Sequence, residues 1–415
     1  MKRVVVTGMG IWSCIGQNLE SVTESLKQGR SGIVFDAKRI EYGLHSGLTG
    51  NVPCPDLKPL LPRKYRVTMS EDAEYAYMAA RQAFTQAGIE DTYLHDNEIG
   101  IIFGNDGNSH QLNHQEVMSQ ERDSHMLSPN TLFQSATSSV TMNLSTIFHL
   151  KGVNMCVGAT CASGSHAIGM ATMIIRQGMQ NIILVGGSCM IDMKSMVAID
   201  AIEATSLRND EPTKASRPFD KDRDGMIPSG GAAALVLEEY EHAIARGATI
   251  LAEVCGYGFS SNGIEDISAP SADAEYIAMK RALDDACILP SDIDYVNAHG
   301  TSTPTGDIEE AIALTRLFDG DNRPYISSTK SLTGHEKWMA GASEAVYSIL
   351  MMQHGFVAPN INLQNKIDEA KGLNIVTEMI ETPIQTVLSN SSGMGGTNSA
   401  LVLRAISNQQ SAVSD

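Results

Sequence analysis

One cysteine, Cys161, stands in the stretch VGATCASGSHAIG, between an apolar segment and a run of small residues that becomes helical. A cysteine at the start of a helix lies beside unpaired backbone N–H groups and the positive end of the helix dipole, and both favour its thiolate. The preceding segment, NMCVGAT, is typical of a strand. We therefore expect Cys161 at a tight strand-to-helix turn with its side chain exposed, as a nucleophile elbow requires.

Two histidines in the second half of the chain are candidates for the donors or bases that a nucleophilic cysteine needs. His299 follows a predicted strand in NAHGTSTPTGD, and His335 precedes an apolar helix in SSTKSLTGHEKWMAGASE. Residues at the end of a strand in an α/β sheet lie where such sheets bind ligands. The glycine-rich turn in SNSSGMGGTNSALVL could direct backbone N–H groups into the same cavity, as an oxyanion site requires.

Repeated patterns in the two halves of the chain indicate how these residues are brought together. VTGMGIWS at residues 6–13 resembles VCGYGFSS at residues 254–261, and both contain a Gly-x-Gly turn after a β-branched strand. AFTQAGI at residues 83–89 resembles ALDDACI at residues 282–288, and each ends an amphipathic helix. The order of the matches is the same in both halves, which indicates a duplicated α/β unit.

The helix that follows Cys161 also has a counterpart, because EAVYSILMMQHG after His335 is as apolar as AIGMATMIIRQG after Cys161. We expect parallel sheets covered by helices on both faces, in two halves that pack back to back. The predicted divisions are residues 1–250 with the cysteine, residues 251–406 with the two histidines, and a polar tail at residues 407–415.

Composition limits the function classes. The 415 residues carry a formal net charge of −18, which repels polyphosphate and argues against nucleic-acid binding. The seven cysteines are odd in number and contain no C-x-x-C pair, which fits a reducing compartment. No apolar run approaches the roughly 20 residues that span a bilayer, so we expect a cytoplasmic protein without a membrane partner.

Metal and nucleotide sites have little support in the sequence. DKDRDG at Asp220 to Gly225 copies the start of a calcium-binding loop, but its twelfth position is Gly231, where such a loop has glutamate. The histidines do not form H-E-x-x-H, and G-x-x-x-x-G-K-[ST] does not occur. We therefore expect no bound metal.

The motifs together resemble those of the elongating β-ketoacyl-[acyl-carrier-protein] synthases. The resemblance covers residues 1 to about 406 and rests on TCASGSHAIG, AHGTSTPTGD, STKSLTGHE and GMGGTNSALV. It implies the thiolase fold, an α/β architecture in which duplicated βαβ halves form five αβαβα layers, and it implies a homodimer.

The resemblance also implies a reaction, the decarboxylative condensation of fatty acid biosynthesis. Cys161 would take an acyl chain as a thioester from the phosphopantetheine arm of an acyl carrier protein. His299 and His335 would bind the malonyl thioester, whose loss of carbon dioxide leaves an enolate that attacks the acyl group. The enzyme would hold no cofactor of its own, since the arm belongs to the carrier protein.

Further roles follow from the same resemblance. Lys330 is implied as a catalytic residue that holds His335 and the local field, with Glu344 and Asp307 in support. The implied oxyanion hole consists of the backbone N–H groups of Cys161 and Met394. The implied substrate-binding residues are Thr301, Thr303, Gly395 and Gly396.

One departure from the family concerns the implied acyl gate, Ser392 and Met394. Family members commonly have phenylalanine at both positions, whereas this chain reads NSSGMGG from Asn390. A methionine is more flexible than a ring. Our hypothesis is a pocket that accepts longer, stiffer or conjugated acyl chains.

Because carrier proteins are acidic, an enzyme with a charge of −18 needs a local positive surface to bind one. The best candidate is PRKYR, with Arg63, Lys64 and Arg66, and a solvated surface cluster is the alternative reading.

Other functions remain as alternatives within and outside this class. The first is a polyketide or polyene-type ketosynthase that forms a heterodimer with a chain-length factor. A catalytically silent chain-length partner would lack the nucleophile that Cys161 supplies, and a thiolase would have a second reactive cysteine near the end of the chain. An initiating synthase would have asparagine in place of His335, and a papain-like hydrolase would lack the duplication.

Overall fold

A computed structural model describes residues 1–107, 116, 117, 120, 123, 125, 127–320 and 323–406. The polar tail predicted at residues 407–415 lies outside the described residues, and the division predicted near residue 250 stays a prediction. The strands are β1 (Val4–Trp12), β2 (Ile33–Phe35), β3 (Leu48–Gly50), β4 (Gly100–Gly104), β5 (Asn154–Val157), β6 (Ile182–Cys189), β7 (Gly231–Glu239), β8 (Ala252–Ser261), β9 (Tyr295–Asn297), β10 (Tyr325–Ser327), β11 (Phe356–Val357), β12 (Ile380–Glu381), β13 (Thr386–Gly393) and β14 (Thr397–Arg404).

Helices alternate with these strands along most of the chain. They are α1 (Leu19–Gln28), α2 (Ala37–Glu41), α3 (Arg63–Arg66), α4 (Glu71–Gln86), α5 (Asp91–Asp96), α6 (Thr131–Ser135), α7 (Ser139–Ile147), α8 (Ser163–Arg176), α9 (Met193–Ala201), α10 (Pro212–Ala215), α11 (Tyr240–Ala245), α12 (Ala272–Asp285), α13 (Gly306–Leu317), α14 (Lys330–Thr333) and α15 (Ala340–His354). None of the helices in the described part of the chain has the length and apolar character that a membrane crossing requires.

The main sheet repeats one topology twice. Its strand order within the described residues is β10-β9-β13-β14-β8-β1-β7-β6-β4-β5, so each half contributes five neighbouring strands. In each half the first strand pairs antiparallel with the fifth, the fifth antiparallel with the fourth, the fourth parallel with the second, and the second parallel with the third. This identity of order and direction confirms the duplicated α/β unit.

The expectation of parallel sheets is wrong, because each half-sheet is mixed. Strands β13 and β14 are joined by the three residues Met394, Gly395 and Gly396, and so short a connection makes two neighbouring strands antiparallel. The two half-sheets also meet edge to edge, since β1 pairs with β8 at Val5 and Val6.

Five layers of helix and sheet bury three main apolar cores. Helices α8 and α15 pack against each other between the two half-sheets, α4 and α7 cover the outer face of the first, and α12 and α13 cover the outer face of the second. Helix α15 is buried from Ala340 to Met351, and α8 is buried along most of its length although Met173 is exposed, so their nearly continuous apolar composition is what this position requires.

The expectation of a turn at the Gly-x-Gly pattern is wrong, because Gly8 and Gly10 lie within β1, where they allow the close approach of a helix. A Cβ atom at Gly8 would lie 2.1 Å from the carbonyl oxygen of Ala83, and one at Gly10 would lie 2.0 Å from that of Ala79. Both alanines belong to α4, so the strand and the helix touch backbone to backbone.

The second half repeats this contact between β8 and α12. A Cβ atom at Gly256 would lie 2.1 Å from the carbonyl oxygen of Ala282, and one at Gly258 would lie 2.0 Å from that of Ala278. The repeated glycines in the two halves therefore serve the same packing contact.

We expect Gly10→Ala to lower the free energy of unfolding by about 2–3 kcal/mol, because the added methyl group meets rigid backbone and α4 must move away. Urea denaturation followed by circular dichroism measures the change. Gly320→Ala is the control, since no described residue lies within 4 Å of a Cβ atom there, and it should change stability by less than about 0.5 kcal/mol. Equal effects of the two substitutions would contradict this account of the glycines.

Candidate active site

Cys161 lies in a tight turn between β5 and α8. Residues Thr160–Ala162 form a single 3₁₀ turn, and Thr160 has a positive φ of 48°. The N–H of Thr160 donates to Asp106 Oδ2 at 2.8 Å, and its hydroxyl donates to the carbonyl oxygen of Met394 at 3.0 Å. The thiol is half-buried rather than exposed, because the turn faces the second half of the chain.

Small residues at the starts of α8 and α15 let the two helices touch. A Cβ atom at Gly164 would lie 2.9 Å from the backbone nitrogen of Ala342, and one at Gly341 would lie 2.6 Å from that of Ser165. This contact places the turn that carries Cys161 against the segment that carries His335.

His299 follows β9, and a buried carboxylate fixes its loop. Glu310, on α13, accepts hydrogen bonds from the backbone N–H of His299 at 2.7 Å and from that of Gly300 at 2.6 Å. The side-chain amide of Asn390 donates to the same carboxylate at 3.0 Å. Nδ1 of His299 lies 3.3 Å from Nζ of Lys330. An ammonium group can only donate, so Nδ1 is the acceptor and the ring hydrogen lies on Nε2.

His335 is held in the same tautomer, with its ring hydrogen on Nε2, by a different contact. The backbone N–H of Lys337 donates to His335 Nδ1 at 3.2 Å, which again leaves the hydrogen on Nε2. The two imidazole rings stand nearly perpendicular, with 5.3 Å between their centroids. Burial lowers the pKa of both histidines well below the usual value, and the charge of Lys330 lowers both further. Both rings are therefore neutral N–H donors at neutral pH.

Lys330 and Glu344 form a buried ion pair behind the histidines. Their side chains are 2% and 1% exposed, and the ammonium group donates to Glu344 Oε1. Burial raises the pKa of Glu344 to about 7, while Lys330 acts in the opposite direction. Lys330 contacts the ring of His299, whereas the resemblance assigns it to His335.

A cavity of about 590 Å³ brings residues of both halves together. The sequence-predicted residues that line it are Cys161, His299, His335, Thr301, Thr303, Ser392, Met394, Gly395 and Gly396. The hydroxyl oxygens of Thr301 and Thr303 lie 2.9 Å apart, and the two glycines of the β13–β14 turn both have a φ of 87°.

Other predicted residues lie outside the wall of this cavity. Asp307 is fully buried and accepts hydrogen bonds from the backbone N–H groups of Phe219 at 2.7 Å and Ser302 at 3.0 Å. Its pKa is raised by burial to about 7. Asp307 therefore fixes the loop that contains Thr301 and Thr303.

The three basic residues of PRKYR lie on the short helix α3, outside the cavity wall. Arg63 and Lys64 are exposed. Arg66 is half-buried, and its Nε donates to the carbonyl oxygen of Leu61 at 3.0 Å. The exposed positive charge of this surface therefore comes from Arg63 and Lys64.

Comparison with known proteins agrees with the fold and the motifs. Residues 1–243 match the model of the beta-ketoacyl synthase N-terminal domain, and residues 251–364 match that of the C-terminal domain. The 3-oxoacyl-[acyl-carrier-protein] synthase 1 of Escherichia coli strain K12 is 42% identical over 410 residues, which are 98% of this chain and all of that protein. The chain belongs to the β-ketoacyl synthase family.

Solved structures of this family resemble the chain over nearly its whole length. A beta-ketoacyl synthase from Burkholderia phymatum STM815 has a TM-score of 0.93 and 36% identity, with 98% of this chain and 100% of that chain covered. A ketosynthase bound to its type II polyketide acyl-carrier protein has a TM-score of 0.88 and 29% identity over 98% and 100% of the two chains.

The pKa of the Cys161 thiol is raised, whereas the sequence led us to expect a lowered pKa. Burial raises the pKa of Cys161 above its usual value, while the backbone N–H of Met394 and the charges of Lys330 and Lys337 lower it. The expected net lowering is wrong, because the second half of the chain covers the turn and removes water from the sulfur. The backbone N–H groups of Met394 and Cys161 both act on the sulfur and favour its thiolate. Their role as an oxyanion hole stays a prediction.

Two positioning residues of this synthase were missed in the sequence. Glu310 lies three residues after Asp307 on α13, so both face the buried side of the helix, and this spacing was an available signal. Lys337 fixes the tautomer of His335 through its backbone N–H. No sequence pattern predicts this contact.

The raised thiol pKa gives a testable pH dependence. Below its pKa a thiol loses about tenfold in thiolate for each pH unit, so alkylation of Cys161 by iodoacetamide should still be rising between about pH 8 and about pH 9. Peptide mass spectrometry measures the modification of Cys161 separately from that of exposed Cys287. Lys330→Met should shift the rise to higher pH, because the variant lacks a charge that lowers the pKa. A rate that levels off below about pH 8 would contradict the account.

Proposed function

We propose that this chain condenses an acyl group held on Cys161 with malonyl-[acyl-carrier-protein] in fatty acid biosynthesis, giving β-ketoacyl-[acyl-carrier-protein] and carbon dioxide. The observation that carries the proposal is the single cavity wall shared by Cys161, His299 and His335. A half-buried sulfur and two neutral imidazole donors are the groups that acyl transfer and enolate formation need.

The first step transfers the acyl group. The thiolate of Cys161 attacks the carbonyl carbon of the acyl thioester, and a new carbon–sulfur bond forms. The negative oxygen of the intermediate accepts hydrogen bonds from the backbone N–H groups of Cys161 and Met394. The bond to the pantetheine sulfur then breaks, and that sulfur leaves with the electron pair and takes up the proton that Cys161 lost.

The second step breaks the bond between the malonyl carboxylate and its α-carbon. Carbon dioxide leaves, and the electron pair forms an enolate whose oxygen accepts hydrogen bonds from Nε2–H of His299 and His335. Each donor is worth about 3 kcal/mol in a site without water. The α-carbon attacks the acyl carbonyl, and Cys161 leaves as thiolate with the electron pair. A proton from solvent then restores the thiol, because the original proton left with the pantetheine sulfur.

The buried carboxylates and Lys330 act as positioning groups in this proposal. Lys330 donates to His299 and is itself held by Glu344. Glu310 and Asp307 hold the backbone of the loop from His299 onwards.

The substrate arm fits the polar part of the cavity. Thr301 and Thr303 offer hydroxyl groups to the amides of phosphopantetheine, and Gly395 and Gly396 leave backbone open to it. Because the arm comes with the carrier protein, the proposed reaction needs no further cofactor. Ser392 and Met394 form the proposed gate, and both line the cavity.

The proposed partners are an acyl carrier protein and a second copy of this chain in the cytoplasm. The ketosynthase with a bound carrier protein resembles this chain over its length, which supports the first partner. Strand β5 ends the sheet and is partly exposed, and an open sheet edge is commonly covered by another strand. The 42% identity to a 3-oxoacyl synthase, against 29% to a polyketide ketosynthase, favours a homodimer in fatty acid synthesis over a heterodimer with a chain-length factor.

Intact mass spectrometry tests the proposed nucleophile. Incubation with acyl-[acyl-carrier-protein] should add one acyl mass to the protein, and Cys161→Ala should abolish this addition and lower condensation by at least about 10³-fold. His335→Ala should keep the acylation and lose the condensation, because it removes a donor to the enolate alone. The control is exposed Cys287→Ala, which should behave like the native protein. Condensation by Cys161→Ala would refute the assignment.

Reversal of the charges on α3 tests the docking surface. Arg63→Glu with Lys64→Glu should raise KM for a carrier-bound substrate by about tenfold, because the surface then repels an acidic carrier protein. KM for a small thioester should stay unchanged. Lys280→Glu, on an exposed face of α12, is the matched control. Equal changes for the two substrates would contradict docking at α3.

A further inference from the structure

A buried lysine forms part of the cavity wall beside the reacting groups. Lys337 is 3% exposed, and it lines the cavity together with Cys161 and His335. It lies in the turn Lys337–Met339, where its φ is 50°, a conformation that is costly for a lysine unless its surroundings hold it. The next residue, Trp338, lines the same cavity.

The ammonium group of Lys337 has no partner at ion-pair distance among the described residues, although its charge lowers the pKa of the buried carboxyl group of Asp72. Within the described part of the chain, no carboxylate forms an ion pair with it. Its contacts are the sulfur of Met196 at 3.6 Å, which is a weak acceptor, and the ring of Trp338, whose centroid lies 5.0 Å away. A lysine buried in this way is unfavourable for folding alone, because an apolar side chain of equal size packs there without loss of hydration.

A second donor of the same wall is also unsatisfied. The indole nitrogen of Trp338 is buried and has no hydrogen-bond partner among the described residues. Buried donors in native proteins are nearly always paired, so an unpaired one on a cavity-lining residue points to an acceptor that arrives with a ligand. The nitrogen itself has almost no accessible surface, so the ring must turn for a ligand to reach it. Two such donors in consecutive residues make an oxygen atom the expected ligand group.

The malonyl group does not account for these donors. An ammonium ion that bound the malonyl carboxylate would stabilise the very charge that decarboxylation removes, and this would raise the barrier. The charge of Lys337 does lower the pKa of Cys161, but this effect leaves the indole donor unexplained. In the proposed function the amides of the pantetheine arm bind Thr301 and Thr303, so the acyl chain is the remaining substrate group beside Cys161.

We propose that Lys337 and Trp338 form a specificity site for an acyl chain that carries a hydrogen-bond-accepting oxygen beyond its thioester carbonyl, such as a keto, phenolic or carboxylate oxygen. The inference rests on the proposed function, since it assumes that Cys161 is acylated. It differs from the gate hypothesis, which concerns the size and stiffness of the chain at Ser392 and Met394.

Acylation rates with paired thioesters test this site. The probes are N-acetylcysteamine thioesters, which need no carrier-protein docking: 3-oxooctanoyl and 7-carboxyheptanoyl against octanoyl, and 4-hydroxycinnamoyl against 4-methylcinnamoyl. The second-order rate constant for acylation of Cys161 is measured by intact mass spectrometry. At least one oxygen-bearing probe should exceed its apolar match by about tenfold, because the match leaves both donors unpaired.

Two variants separate this site from a structural role. Lys337→Met should bring the ratio of the favoured pair close to one, although the lost charge raises the thiol pKa and slows transfer from both members of the pair. Trp338→Phe should lower the ratio while it keeps a ring in the wall. If Lys337→Met does not fold, Trp338→Phe still tests whether the site selects oxygen-bearing acyl chains. Lys280→Met should leave the ratio unchanged. Native ratios near one for every pair, or an unchanged ratio in both variants, would overturn the inference. Absence of acylation by every probe would instead refute the proposed function, and the inference with it.

Discussion

The active site depends on the contact between the starts of two buried helices. Gly164 of α8 and Gly341 of α15 have no side chains, so the two helices approach backbone to backbone between the half-sheets. Cys161 lies two residues before α8, and His335 lies five residues before α15. The contact therefore makes a cysteine and a histidine that are far apart in the chain neighbours on one cavity wall. Larger side chains at these glycines would separate the two halves of the site.

Close packing also sets the electrostatics of this wall. The same removal of water raises the pKa of the Cys161 thiol and lowers the pKa of both imidazoles. The histidines are therefore ready as neutral donors, whereas the thiol needs the nearby N–H groups and lysines to become a thiolate. Positive charge from Lys330 favours both states, because it stabilises the thiolate and disfavours imidazolium.

The two lysines near the site have different surroundings. This difference indicates that Lys330 serves the reaction that the family shares and that Lys337 serves a feature particular to this chain. Lys330 is neutralised by Glu344 and contacts a histidine, so its burial is explained by the reaction that the family shares. Lys337 has a ring and a thioether as neighbours instead. Substrate selection is the role that accounts for the second lysine, while the first serves the chemistry of any acyl chain.

The sequence by itself determined the duplicated α/β organisation, the strand-to-helix turn at Cys161 and the candidate histidines, because these depend on local patterns of glycine, apolar residues and motif spacing. It did not determine the mixed direction of the half-sheets, the raised pKa of Cys161, the contact of Lys330 with His299, or the part played by Glu310 and Lys337. These features depend on which groups become neighbours and how much water remains between them. Such distances arise from the packing of segments far apart in the chain, so only the tertiary structure decided them.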